Sequence, residues 1–162
     1  MATALTTTFS EVTGTPVMQA FALLLDRFGA LIALERGPAH GWPKDDHDAY
    51  CNAVEAARRS LMDAALAVLA EDVETPLDGP LRRLALIIEL QMSIVCPEER
   101  RHMFQTVQNN RDVFRIIGQD PAAQIIRGLQ DVFFTYYTGL FDIPETVAGQ
   151  PDRSEFPAPV PA

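Results

Sequence analysis

A chain of 162 residues with 48% apolar residues can bury one core without cross-links, and its 22% charged content excludes a chain that is disordered throughout. The formal charge of −9 and the pI near 4.7 work against nucleic acid or an anionic membrane as a partner, because both attract basic surfaces and repel acidic ones. The only cysteines, Cys51 and Cys96, fall in or at the edge of apolar helical patterns, where buried thiols of a reducing compartment are expected. No basic-then-apolar leader is evident, and Asp26-Arg27 or Glu89 interrupts the longest apolar runs before the roughly 20 residues of a bilayer span. The cytoplasm is the expected compartment.

Taken in order, residues 1–15 are Thr-rich and aperiodic, which predicts a flexible lead-in. Pro16 suits a first helical turn. Val17, Phe21, Leu24, Leu25, Phe28, Leu31 and Ile32 then recur at spacings of three and four, the mark of a helix with one buried face to about Glu35. Residues 36–44 carry two Pro and two Gly around Trp42 and must turn. Asp45 or Asp46 is placed to cap a long helix reaching about Glu71, with Tyr50, Val54, Ala57, Leu61, Ala65 and Val68 inward. Asp78 and Pro80 begin the next helix, and Pro97 ends it at Cys96. Over residues 81–96 only Arg82, Glu89 and Ser93 form a coherent polar strip, so this helix is expected at the centre, covered on most sides.

Pro97, Glu98 and Glu99 open a further helix whose apolar face drifts beyond Asn109-Asn110, which predicts a break there. Gly118 is expected to stop that helix, and Asp120-Pro121 to start the last one. Residues 121–141 present Ile125, Ile126, Leu129, Val132, Phe133, Tyr136, Tyr137 and Leu140 on one face, with Phe134 and Phe141 on a shoulder. The Pro-rich residues 143–162 lack apolar periodicity and are expected to be disordered. The whole reads as an all-α protein: one bundle of five or six helices over residues 16–142, around a central apolar helix at about 80–96, with disordered ends.

Motifs that carry chemistry are sparse. Glu99 and His102 form an E-x-x-H, which puts a carboxylate and an imidazole on one helix face. The di-iron bundles use that pair twice with two further glutamates, whereas here it occurs once, and a solvated first turn accounts for it. Asp45, Asp46, His47 and Asp48 point in different directions if helical and suit a helix N-terminus instead. Cys51 near His40 or His47 lacks a recognisable oxyanion hole or third group. There is no Gly-rich phosphate loop, G-x-S-x-G or C-x-x-C. The arginine doublets Arg58-Arg59, Arg82-Arg83 and Arg100-Arg101 suggest surface ion pairs, with Glu55 and Arg59 four apart in the favourable order.

The aromatic residues are more informative. Phe133, Phe134, Tyr136, Tyr137 and Phe141 span more than one face of a single helix. They divide between core and an excess that a small bundle cannot cover, which would serve as a dimer contact or a groove for a partner helix. The expected partner-binding residues are Phe133, Phe134, Tyr137, Phe141 and Trp42.

Between Ala56 and about Leu90 a further pattern stands out: Ala56-Ala57-Arg58-Arg59, a helix with Leu61 and Leu69, the Leu77 link, then Leu81-Arg82 opening an apolar helix with Leu84 and Ile88. In these residues the chain resembles the flagellar biosynthesis regulator family FlaF, small helical proteins that control flagellin production and export. Ser60-Leu61 stands where that family often has a larger aromatic, and residues 97–141 have no clear counterpart. The resemblance implies a regulatory or export role. The combined expectation is a small non-catalytic helical protein, without a cofactor, that acts through a protein partner or as a homodimer. The alternative is a metal protein or enzyme using Glu99 and His102.

Overall fold

The computed structural model describes residues 14–36 and 47–141. Among these residues every regular element is a helix: α1 (Pro16–Arg36), α2 (His47–Ala70), α3 (Asp78–Ser93), α4 (Pro97–Asn109), α5 (Arg111–Phe114) and α6 (Pro121–Phe141). The all-α bundle is therefore as the periodicity predicts. Trp42, His40, Asp45 and Asp46 lie outside the described residues, as do residues 143–162 and 1–13.

The seven residues assigned to the inner face of α1 are its buried residues. By length and composition α1 is apolar enough to cross a bilayer even with Asp26 and Arg27 in it, so the interruption expected from that pair is corrected. Its apolar face instead packs against α2, α3 and α6. Thr15 is the residue before Pro16, and its hydroxyl accepts the Met18 N–H at 3.3 Å, satisfying one of the amides that a helix start leaves open.

The same hydroxyl donates to Oδ1 of Asp78, which is buried at the start of α3. Asp78 Oδ2 accepts the Glu74 and Thr75 N–H groups at 3.0 and 2.8 Å. Asp78 makes no cap to its own helix, contrary to the sequence expectation. A buried carboxylate costs several kcal/mol unless hydrogen-bonded, and here three donors fix the 71–77 link and the start of α1 to one point.

α3 touches each of the other five helices, which confirms its central place. Leu81, Leu84, Ala85, Ile87, Ile88 and Gln91 are buried on it. The expectation that it is covered nearly all round is corrected at Leu86 and Leu90, which are 43% and 45% exposed, because its neighbours leave one side of the helix open. The predicted break at Asn109-Asn110 is present. α4 ends at Asn109, and α5 is a single turn that stops at Phe114, four residues before Gly118. Asp120 Oδ1 then accepts the Ala123 N–H at 2.9 Å, the cap expected for α6.

α1 and α6 run in parallel. Phe21 meets Phe133 at 6.1 Å, Phe28 meets Tyr136 at 5.8 Å, and a β-carbon on Gly139 would lie 2.7 Å from Arg36 at the far end of α1. With Thr15 tied to Asp78, the starts of α1, α3 and α6 share one end of the bundle.

Candidate functional site

The aromatic residues of α6 are consumed by the bundle. Phe133 stands 5.9 Å from Phe28, 5.4 Å from Phe134 and 5.7 Å from Tyr137, and the chain of rings continues to Phe104 on α4 at 5.4 Å from Tyr137. Phe134 lies 6.3 Å from Phe114 of α5 and beneath Arg111, whose guanidinium carbon is 4.6 Å from its ring centre. Phe133, Phe134 and Tyr137 are buried, so the surface expected of them is corrected: α4 and α5 cover what the sequence left as excess. Phe141 is partly buried, its ring stacked 3.9 Å from Phe104. Tyr136 is likewise partly buried, with its hydroxyl 3.0 Å from the place of a β-carbon on Gly29.

Two buried glutamines hold the outer helices to α6. Tyr137 donates its hydroxyl proton to Gln91 Oε1 at 2.9 Å, and Gln91 Nε2 donates to the Arg100 carbonyl at 3.2 Å, joining α6, α3 and α4. Burial pushes the Tyr137 phenol well above the usual tyrosine range. Gln130 Nε2 donates to the Phe114 carbonyl, and its Oε1 accepts the Ile116 N–H at 3.3 Å. Neither glutamine was singled out by the sequence pattern. The readable signal was their place among apolar residues on the inner sides of α3 and α6.

Glu99 and His102 are exposed on α4. Among the described residues no group of three or more His, Cys, Asp or Glu side chains could hold a metal ion. Cys51 is exposed and Cys96 partly exposed, which corrects the expectation of interior thiols. Of the arginine doublets, Arg58 pairs with Glu35 at 2.7 Å and Arg59 approaches Glu55 at 3.8 Å, as expected. Arg82 and Arg100 instead donate to the Leu69 and Ile94 carbonyls, each at 2.7 Å, where α2 and α3 end. Among the described residues, the Arg100 Nε is buried without a partner.

The open feature lies at the other half of α6. The 115–119 link runs beside the helix and borders a shallow cavity of about 680 Å³ with Gln124, Arg127, Gly128 and Asp131. A β-carbon on Gly128 would meet no atom within 4 Å, so the floor is clear. Among the described residues Asp131 is the one carboxylate of the lining, and both Arg111 and Arg115 approach it, at 3.7 and 3.6 Å. Arg127 also lines the cavity, so cations outnumber anions there in a chain of net charge −9. Ile117 is fully exposed on its rim, Val113 is 72% exposed, and Val132 beside Asp131 is 40% exposed. Sequence reasoning missed this site. The signal was Ile117 falling out of period after the Asn109-Asn110 break.

No protein family, curated protein or solved structure matches this chain. The residues that carry the flagellar resemblance are chiefly packing residues of the α2–α3 hairpin, with Leu61, Leu81, Leu84 and Ile88 buried.

Proposed function

We propose that this protein is a small non-catalytic helical protein that acts through protein contacts, and that its contact surface is the groove between the 115–119 link and α6. The observation that carries this reading is the fully exposed Ile117 at the edge of a cationic groove. Ile117 is the exposed apolar member of the described lining, and a partner that covers it removes apolar area from water. A regulatory or export role in flagellar assembly is the narrower form of this proposal, supported by the pattern of residues 56–90.

The test is a photo-crosslinking residue placed at Ile117 in the full chain, with a second placed at exposed Asp63 on α2 as reference. A discrete adduct from position 117 and none from position 63 is the expected result. No adduct at 117, or equal labelling at both positions, overturns the assignment of the surface.

A further inference from the structure

The bundle carries a complement to the groove at the same end. The 71–77 link contains Glu71, Asp72, Val73 and Glu74, three carboxylates around a valine that is 50% exposed. Asp78 fixes the link from below through the Glu74 and Thr75 N–H groups, which leaves the Asp72 and Glu74 side chains exposed at the surface. The groove offers the reverse chemistry: Arg115 and Arg127 beside exposed Ile117, over the clear floor at Gly128.

Among the described residues, no hydrogen bond, ion pair or ring contact joins the two features within one chain. They can meet between two chains. The 71–77 link joins α2 to the start of α3, and the groove borders the first half of α6, so both belong to the end where α1, α3 and α6 begin. Two copies facing each other at that end through a two-fold axis place each link at the other's groove, giving two identical contacts and a closed pair. We infer that the occupant of the groove is the Glu71–Glu74 link of a second copy of this chain, with Val73 against Ile117 and the carboxylates against Arg115 and Arg127.

This inference rests on the groove being a protein-contact surface and names the partner. A nucleic acid fits poorly, because the cationic groove is local and the rest of the acidic chain repels a polyanion. The charges chiefly set register and salt dependence, while the apolar pair supplies the area removed from water.

Sedimentation equilibrium of the full chain tests it, with wild type beside Arg127→Glu and beside Asp72→Arg/Glu74→Arg, and with circular dichroism to verify that each variant keeps its helix content. The proposal commits to a dissociation constant on the order of 10 µM at low salt, at the weak end of specific protein contacts. Each variant alone should weaken association at least ~10-fold by placing like charges together. An equimolar mixture of the two variants should restore it, because the reversed groove of one meets the reversed link of the other and the two native elements also meet. Raising salt to ~1 M should weaken the wild-type pair.

A wild type that stays monomeric at ~0.5 mM overturns the second copy as occupant, since binding at the expected affinity would be close to complete there. A dimer indifferent to both variants, or variants whose mixture does not recover, does the same. If the Ile117 crosslink yields an adduct with a different protein while sedimentation finds a monomer, the contact surface stands and the self-association fails. If neither experiment gives association, both readings fail.

Discussion

Between Phe133 and Phe141, α6 is held by α1 on one side and by α4 on the other, whereas between Gln124 and Asp131 the same helix is bordered by an irregular link and left open over Gly128. The C-terminal half is fixed by large rings in mutual contact and by one buried hydrogen bond, Tyr137 to Gln91. The N-terminal half keeps Ala123, Ile126 and Leu129 in the core, while its border with the link is fixed by Gln130, which satisfies the Phe114 carbonyl and the Ile116 N–H, and by arginines sharing an exposed carboxylate. Exposed ion pairs contribute about 0–1 kcal/mol, so the open half depends on Gln130 far more than on its charges. One helix thus has an inner side in the core along its whole length, with ring-bearing helices over its C-terminal half and an open side over its N-terminal half.

Four substitutions sharpen this contrast. Phe133→Ala should cost about 3–5 kcal/mol, because it empties a site bounded by rings from two helices, and the measurement is urea unfolding. Gln130→Ala should cost about 2 kcal/mol by leaving the Phe114 carbonyl and the Ile116 N–H without their partner. Its loss should also raise amide exchange over residues 114–118 relative to α1, and an unchanged exchange pattern would remove Gln130 as the anchor of the link.

Tyr137→Phe should cost about 1 kcal/mol at neutral pH, because Gln91 loses a donor while the ring contacts remain. The pH dependence has a definite sign. The phenol's ordinary value is 10.0 and burial raises it in the folded chain, so its contribution is fully present below pH 10 and is lost as pH rises from 10 toward the folded value. Wild type should therefore lose stability above pH 10 more steeply than Tyr137→Phe, and parallel curves in alkaline thermal melts would contradict this. Gly128→Ala has the smallest effect and the opposite direction. It should stabilise by about 0.5–1 kcal/mol, since a helical glycine facing open space gives up backbone entropy without a steric need.

Much of the fold was legible in the residues. The spacing of Val17 through Ile32 marks the buried face of α1 residue by residue, because a soluble amphipathic helix leaves a 3.6-residue period in its own sequence. Helix starts were legible where Pro97, Asp120 and Pro121 act on their own backbone, whereas α3 stops at Ser93, short of the end expected at Cys96. Asp78 stands where the spacing predicts a local cap, but its partners Thr15, Glu74 and Thr75 include one 63 positions away, and a long-range bond leaves no local spacing. The aromatic surplus expected on α6 is absent for the same reason: Phe104 and Phe114 cover it from elements whose docking no period encodes.

The sequence by itself determined the helices, their inner faces and the break after Asn109, since propensity, capping and periodicity act over a few residues. Only the tertiary structure decided which apolar residues stay in water. Ile116 is buried and Ile117 fully exposed although they are neighbours of one type, because the link is turned by Gln130 of another element. It likewise decided that the groove and the acidic 71–77 link share one end of the bundle, a consequence of parallel packing between α1 and α6 and of the Thr15 bond to Asp78.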